Sequence, residues 1–337
     1  MLRYVVERPE PARRAFLTAC ALGVLTAGCG VPGHAPEAAG SGPGGGWAFT
    51  DDTGRTVTLA RRPRRVVAYS TAVAALWDYG IRPVGVYGPL RARGGGRDDT
   101  VLGEADARRM TTLGGIWGQI DVERLGRLAP DLIVDPLQYG AHQIEPGGLD
   151  QVRRLAPVLS IEVYGAEVAT SVRRYADLAR ALGAPAATVD RQAAAYRAAR
   201  RRAERTAAAR PGLRVMFVSA DRNGLRVSKA GFPSVADFAS LGLDVVLPRG
   251  GETAYVEKLS WELADRYPAD LILLDVRSSS LQPPELRHNA MWRDLPAVRA
   301  GRLGRWNPEP CLSHRGMTRV YDAFTRDVAA ARPLPRR

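Results

Sequence analysis

Arginine and aromatic side chains recur in this sequence where short apolar runs end. "VYGPLRARGGG" carries Tyr87, Arg91 and Arg93, "GGIWGQ" carries Trp117, and "DPLQYGAH" carries Gln138 and Tyr139. In the second half "SADRNGLR" offers Arg222 and Arg226, "ETAYVEK" offers Tyr255, "LDVRSSS" offers Arg277 and "GRWNPEP" offers Trp306. Guanidinium forks hold oxyanions in bidentate fashion, and aromatic rings give flat apolar walls. Each residue alone reads as a surface arginine or a half-buried ring. As a set, they suit a pocket for a sizeable, oxygen-rich, anionic ligand.

Other chemistry finds less support. The chain has no GxSxG elbow, Walker A loop, HExxH or GxGxxG after a strand. "RGGGRDD" (Arg93–Asp99) lacks the Lys-Ser/Thr of a phosphate cradle and reads as a mobile loop. A cell-surface hydrolase would have to use a carboxylate such as Asp221 or Asp275 with a strongly perturbed acid. His142, His288 and His314 could converge on zinc or manganese only through the fold, because none has a His, Cys or carboxylate partner at ligand spacing. The net charge of +13 comes almost wholly from arginine spread along the chain, with lysine only at Lys229 and Lys258. No basic cluster is interleaved with aromatics, so nucleic-acid binding is not expected.

The elements that must position these loops come in two series. "WAFTDDTGRTVTL" (Trp47–Leu59) reads as a hairpin. "RRVVAYS", "RPVGVYG", the Asp131–Asp135 run and "LAPVLSIEV" read as strands separated by helices such as "TAVAALWDYG". Helical sequence dominates from about Ala166 to Ala209, broken near Gly183-Ala184-Pro185. A second series follows, with strands "LRVMFVSA", "LDVVLP" and "DLILLD", helices "FPSVADFASLG" and "WELADRYP", and a terminal helix "RGMTRVYDAFTRDVAA". Alternation of this kind predicts α/β lobes with mainly parallel central sheets. "DVERLGRLAPDLIVD" and "SWELADRYPADLILLD" share a Glu, a Pro and an Asp-Leu-Ile strand start, with the same spacing from Glu123 to Asp131 as from Glu262 to Asp270. The repeat predicts one helix-to-strand unit used once per lobe, with a ligand cleft between lobes outside the strand carboxyl ends.

The amino-terminal stretch reads as an address rather than as fold. Ala15–Ala27 is apolar but short of the roughly 20 residues of a membrane span. "TAGC" ending at Cys29 resembles a lipobox; the alternative at Cys20 would leave too short an apolar core. Residues 1–28 are then a lipoprotein signal peptide, and "RRAFL" makes a twin-arginine route the alternative to an ordinary positive flank. A diacylglyceryl on Cys29 plus an acylated amine supplies the two or more chains that stable anchoring requires. Residues 29–46, rich in Gly, Pro and Ala, read as a flexible tether. Beyond it only Cys311 remains, which excludes an internal disulfide and a thiolate metal site.

"RRVVAYSTAVAALWDYGIRPVGVYG", "DVERLGRLAPDLIVD" and "LSWELADRYPADLILLD" resemble the substrate-binding lipoproteins of bacterial ABC importers for iron–siderophores, haem and cobalamin. The resemblance covers nearly all of Trp47–Ala331. It implies two Rossmann-like lobes, at 47–165 and 185–331, joined by a rigid backbone helix within 166–184. It also implies that Glu123 and Glu262 dock onto arginines of an ABC permease that works with its ATPase. The function expected on that basis is a non-catalytic, monomeric receptor, tied to the membrane through Cys29, that captures a ferric siderophore. Arg91, Arg222 and Arg277 would hold ligand oxygens, while Tyr87, Trp117, Tyr139, Tyr255 and Trp306 pack on its body. The iron arrives chelated, so no protein metal ligand and no cofactor is needed. Cobalamin or haem is the first alternative ligand, and direct capture of zinc or manganese ions the second.

Overall fold

The computed structural model describes residues 46–335, apart from 93, 94, 97 and 252. The leader 1–28, Cys29, the tether up to residue 45 and Arg93 lie outside the described residues. Strands β1 (Trp47–Thr50) and β2 (Thr56–Leu59) form the expected antiparallel hairpin. The Asp51 carboxylate closes its turn by accepting the N–H groups of Thr53 and Arg55.

The first lobe then alternates strands and helices. In chain order these are β3 (Val66–Tyr69), α1 (Ser70–Asp78), β4 (Gly85–Tyr87), α2 (Asp99–Leu102), β5 (Thr111–Thr112), α3 (Val122–Leu128) and β6 (Leu132–Val134). A two-rung pair, β7 (Leu137–Gln138) and β8 (Ala141–His142), precedes α4 (Pro146–Leu155) and β9 (Val158–Leu159). The main sheet runs β5-β4-β3-β6-β9, and every pairing in it is parallel. Val66 and Ala68 of β3 enter one core while Val67 and Tyr69 enter the core on the opposite face. Both faces are covered, which is why β3 reads as a continuous apolar run and not an alternating one.

Two helices carry the chain across. In α5 (Val168–Ala181), Val168 and Val172 pack in the core of the second lobe, while Tyr175, Ala176 and Ala179 pack in that of the first. Helix α6 (Ala186–Ala208) returns, with Val189 in the first core and Ala199, Ala203 and Ala207 in the second. The connection expected as one helix over 166–184 is thus a helix of 14 residues backed by a longer one.

The second lobe holds β10 (Arg214–Asp221), β11 (Gly224–Ser228), α7 (Pro233–Ser240), β12 (Asp244–Val245), β13 (Val256–Ser260) and β14 (Leu271–Asp275). Short helices α8 (Pro283–Leu286), α9 (Ala290–Asp294) and α10 (Pro296–Arg299) lead to β15 (Leu303–Trp306) and the terminal helix α11 (His314–Ala330). Its sheet runs β13-β11-β10-β14-β15, with β12 also on β10. Strands β12, β14 and β15 follow the parallel pattern, but β11 and β13 are antiparallel, so this sheet is mixed. The cause is local. Asp221 accepts the N–H groups of Asn223 and Gly224, folding β10 straight back into β11. At Gly224 a side chain would meet the Leu259 carbonyl oxygen at 1.9 Å.

"WELADRYP" forms only a single 3₁₀ turn, Trp261–Leu263, instead of the expected helix. Arg266 and the Tyr267 hydroxyl are drawn to the Glu257 carboxylate on β13, and Trp261 Nε1 donates to the Arg222 carbonyl, so the chain is held off a helical path. The repeat itself has a shared job. Asp131 N–H donates to the Arg65 carbonyl while its carboxylate accepts Arg65 N–H at 2.9 Å. Asp270 N–H donates to the Arg214 carbonyl while its carboxylate accepts Arg214 N–H at 2.8 Å. In each lobe the Asp-Leu-Ile aspartate therefore clamps the start of a central strand.

Candidate functional site

The carboxyl ends of β3, β4, β6, β9 and β15 and the segments after them, with the start of α7, meet in a cleft between the lobes. Its cavity measures about 80 Å³ in this structure, below the roughly 300–1,000 Å³ of small-molecule sites. Tyr69, Ser70, Gln138, Tyr164, Ser234 and Glu309 give its wall hydroxyl, amide and carboxylate groups, and prolines 89, 136, 233, 308 and 310 make much of the rest. Helix α1 starts at the cleft with no side-chain cap, and the buried Ser70 Oγ has no hydrogen-bond partner. A helix amino terminus carries partial positive charge and suits ligand oxygens.

Aromatic rings cluster around Tyr164, which lines this cleft. Tyr139, Tyr164, Phe232 and Tyr255 lie with ring centroids 5.4–6.2 Å apart, and Phe232 leans edge-on to Trp306 at 5.6 Å. Hydrogen bonds join the lobes through the same groups. Tyr139 OH donates to the Gly231 carbonyl at 2.7 Å, Gln138 Nε2 to Tyr255 OH at 3.2 Å, and Tyr164 OH to Glu309 Oε1 at 2.9 Å.

One carboxylate organises the first-lobe part of that wall. Glu162 accepts the backbone N–H groups of Tyr139, Gly140, Tyr164 and Gly165, at 2.8–3.1 Å. Tyr139 stands in the left-handed region at φ 51°, a conformation that costs a non-glycine residue about 1 kcal/mol.

The sequence-derived residues part company here. Tyr139 and Tyr255 are in the aromatic wall. Trp117 stands at its edge, with Nε1 donating to Gln143, which lines the cleft. Arg277 is close by but engaged: it pairs with Asp275 at 2.8 Å and with Glu309 at 3.2 Å. Burial would depress its pKa, and these two carboxylates outweigh that and hold it above the ordinary value.

None of the eight residues expected to hold the ligand is in the lining itself, and the other four are engaged elsewhere or exposed. Tyr87, only 1% exposed, ends a strand and donates its hydroxyl to the buried Asp135 at 2.6 Å. Trp306, at 3%, lies behind Phe232 in the core of the second lobe. Arg91 turns back onto the Gly95 carbonyl of its own loop, and Arg222 is exposed on the β10–β11 turn. The anionic ligand that the arginines suggested therefore loses its basis. Among the described residues that line the cleft, the one charged group is Glu309.

Tyr69, Tyr164, Phe232 and Glu309 escaped sequence reading. Tyr164 follows the "LSIEV" strand end just as Tyr139 follows β6, so the same rule reaches it. Glu309 stands in "GRWNPEP", three residues after Trp306.

The three histidines hold separate partners. His142 Nδ1 meets Asp135 at 2.7 Å, His288 meets Arg287, and His314 Nδ1 meets Tyr79 OH at 3.0 Å. Among the described residues no group of three or more His, Cys, Asp and Glu is placed to hold a metal ion. Asp221 and Asp275, the acids a hydrolase would use, are paired with Arg226 and Arg277.

Glu123 and Glu262 are both exposed and lie on the cleft side of their lobes. Helix α3 begins with Val122-Glu123 just after the carboxyl end of β5, and Glu262 follows Ser260, which pairs with Gly224 beyond the end of β10. Glu123 pairs with Arg127 one turn on, while the Ser260 hydroxyl and the local backbone lower the Glu262 carboxyl.

Residues 66–310 match the family described as periplasmic binding protein. The chain is 33% identical to DesE, a ferric-siderophore receptor protein from Streptomyces coelicolor, covering 85% of this chain and 99% of that one with a TM-score of 0.77. The fold is shared with the siderophore periplasmic binding protein of the fuscachelin gene cluster of Thermobifida fusca, at 18% identity, coverage of 79% and 96%, and TM-score 0.61. It is shared too with the siderophore binding protein FhuD from Vibrio cholerae, solved with Fe3+–Desferal, at 19% identity, coverage of 80% and 99%, and TM-score 0.59. A search of curated proteins found no match. Among the described residues no helix is long and apolar enough to cross a membrane.

Proposed function

The chain belongs to the periplasmic binding protein family, whose members bind solutes and do not transform them, and from that premise we propose that it captures a ferric siderophore outside the cytoplasm. The observation that carries the ligand class is the 33% identity to a ferric-siderophore receptor over nearly the whole of that protein. The cleft supports it chemically. Tyr69, Tyr139, Tyr164, Phe232 and Tyr255 give a bulky chelate flat apolar contact, while the Ser70 hydroxyl and the start of α1 offer donors to its oxygens. Arg277 acts in this reading by holding Glu309, and Trp117 by holding Gln143.

Delivery is the second half of the proposal. Lipid on Cys29 would tether the protein beside an ABC permease and its ATPase, and Glu123 and Glu262 would dock a monomer onto the permease, one per lobe. Like charges at two points of one face suit a partner with matching positive sites.

Fluorescence titration with ferric and iron-free siderophores, cobalamin and haem tests the ligand. Saturable quenching by a ferric siderophore is expected. Saturation by cobalamin or haem alone, or retention of stoichiometric zinc or manganese after purification, would overturn the assignment. Replacing both Glu123 and Glu262 with Ala should abolish uptake and leave ligand affinity intact; uptake that survives removes the docking role.

A further inference from the structure

The charge inventory of the cleft points to a narrower ligand class, and this step rests on the siderophore reading above. Asp275, Arg277 and Glu309 form one connected group, in which Arg277 contacts both carboxylates. Its charges sum to an excess of one carboxylate. Asp275 is fully buried behind the guanidinium, whereas Glu309 has a side chain 39% exposed and reaches the cleft.

Among the described residues, Lys229 and Arg91 are turned away. Lys229, next to β13, directs Nζ to the Thr253 carbonyl at 2.8 Å, and Arg91 bonds its own loop. Around Glu309 the wall is aromatic, with Tyr164 donating to the carboxylate and Tyr139, Tyr255 and Phe232 packed beside Tyr164. Ring faces attract cations, most of all where water is excluded. The negative field is felt by the phenols: burial first, and then Glu309, raises the pKa values of Tyr69 and Tyr164.

We propose that Glu309 and the tyrosines around it form a subsite for a cationic group of the ligand, so that the cleft selects chelates bearing an ammonium and rejects anionic ones. Glu309 is then a specificity-determining residue. An anionic chelate would bring a further negative charge to a group that already carries one carboxylate in excess, a direct cost to binding.

The test uses one chelate core in three charge states: a linear ferric trihydroxamate ending in a primary ammonium, its N-acetylated form and its N-succinylated form. Wild-type protein should bind the ammonium form about tenfold more tightly than the acetylated one, and the succinylated form more weakly still. In Glu309→Gln, which keeps an acceptor for Tyr164, the ratio between ammonium and acetylated forms should shrink to about twofold. Glu309→Asp should keep the order of the three, which separates charge from folding. Equal affinity for all three on the wild type, or an undiminished ratio in Glu309→Gln, would overturn the subsite while leaving siderophore capture standing. Binding of none of the three would overturn the subsite, and no saturable quenching by any ferric siderophore would overturn both.

Discussion

Removing the Glu162 carboxylate should loosen the aromatic wall without touching any ring. Four backbone N–H groups, from the two segments that carry Tyr139 and Tyr164, converge on it. A hydrogen bond to a charged acceptor contributes about 1.5–3 kcal/mol when buried. Glu162 is only half-buried and water can replace it in part, so four bonds do not sum. A loss of about 2 kcal/mol in folding stability is expected for Glu162→Ala. The larger consequence concerns binding. Tyr139 is held at φ 51°, and without the carboxylate the β7–β8 tip is free to leave that conformation. The ligand must then order it again. Fixing one or two backbone residues costs about 1–2 kcal/mol each, so affinity should fall about tenfold to thirtyfold, with most of the change in the dissociation rate. Glu162→Gln keeps one acceptor oxygen and should fall between the two. Denaturant unfolding measures the first quantity and fluorescence titration with a ferric siderophore the second. A folded Glu162→Ala protein whose affinity stays within about twofold of wild type would refute the idea that this carboxylate sets the wall.

Two further outcomes follow from buried charge. The His314 backbone N–H donates to Tyr79 OH at 2.8 Å, and Nδ1 lies 3.0 Å from the same phenol oxygen. Burial, with Arg180 and Arg197 adding to it, lowers the imidazole from 6.5 to about 4. A depressed folded pKa means that the stability is complete above 6.5 and is lost as pH falls towards 4, by up to about 3 kcal/mol. Unfolding midpoints that stay flat from pH 7 to 4.5, or a His314→Gln variant with the same slope as wild type, would sink this account. At the repeated clamps, Asp270 is 1% exposed and ion-paired with Arg214, whereas Asp131 is partly exposed and holds backbone N–H groups. Asp270→Ala should therefore cost about 3 kcal/mol and Asp131→Ala about 1 kcal/mol. Burial pushes the Asp270 carboxyl up and Arg214 more than reverses it, leaving it below its usual value. Its contribution is present above about pH 3.9 and lost below, an acid limb that Asp270→Asn should flatten. Equal losses for the two alanine variants would show that burial does not decide the difference.

Much of the architecture was legible because buried parallel strands leave apolar runs and their clamps leave fixed spacings. Asp131 and Asp270 stood out eight residues after Glu123 and Glu262, and the clamp at each strand start explains why that spacing recurs. The turn between β10 and β11 was also readable in "DRNGLR", since Asn-Gly between apolar runs is a hairpin signal. The lost helix at "WELADRYP" had no local signal at all. Its pattern is helical, and what prevents the helix is Glu257 on a neighbouring strand capturing Arg266 and Tyr267.

The arginines show where reading of this kind stops. Loop position identifies which residues stand near the strand ends, but a guanidinium on a long side chain reaches any acceptor within its radius. Arg277 met Asp275 and Glu309, Arg226 met Asp221, and Arg91 met a carbonyl of its own loop. A chain with a net charge of +13 can thus present a cleft whose lining charge, among the described residues, is a single carboxylate. What a ligand meets is the charge left over after neighbours have paired, and that remainder is a property of three-dimensional contacts. The aromatic residues followed sequence position more closely because their fate turns on strand register. Tyr87 is the last residue of a strand inside the sheet and is buried, whereas Tyr139, past the end of β7, stands in the aromatic wall. Tyr69 too is the last residue of a strand inside the sheet, and it lines the cleft, so the neighbours at a strand's carboxyl end decide which tyrosine a ligand can meet.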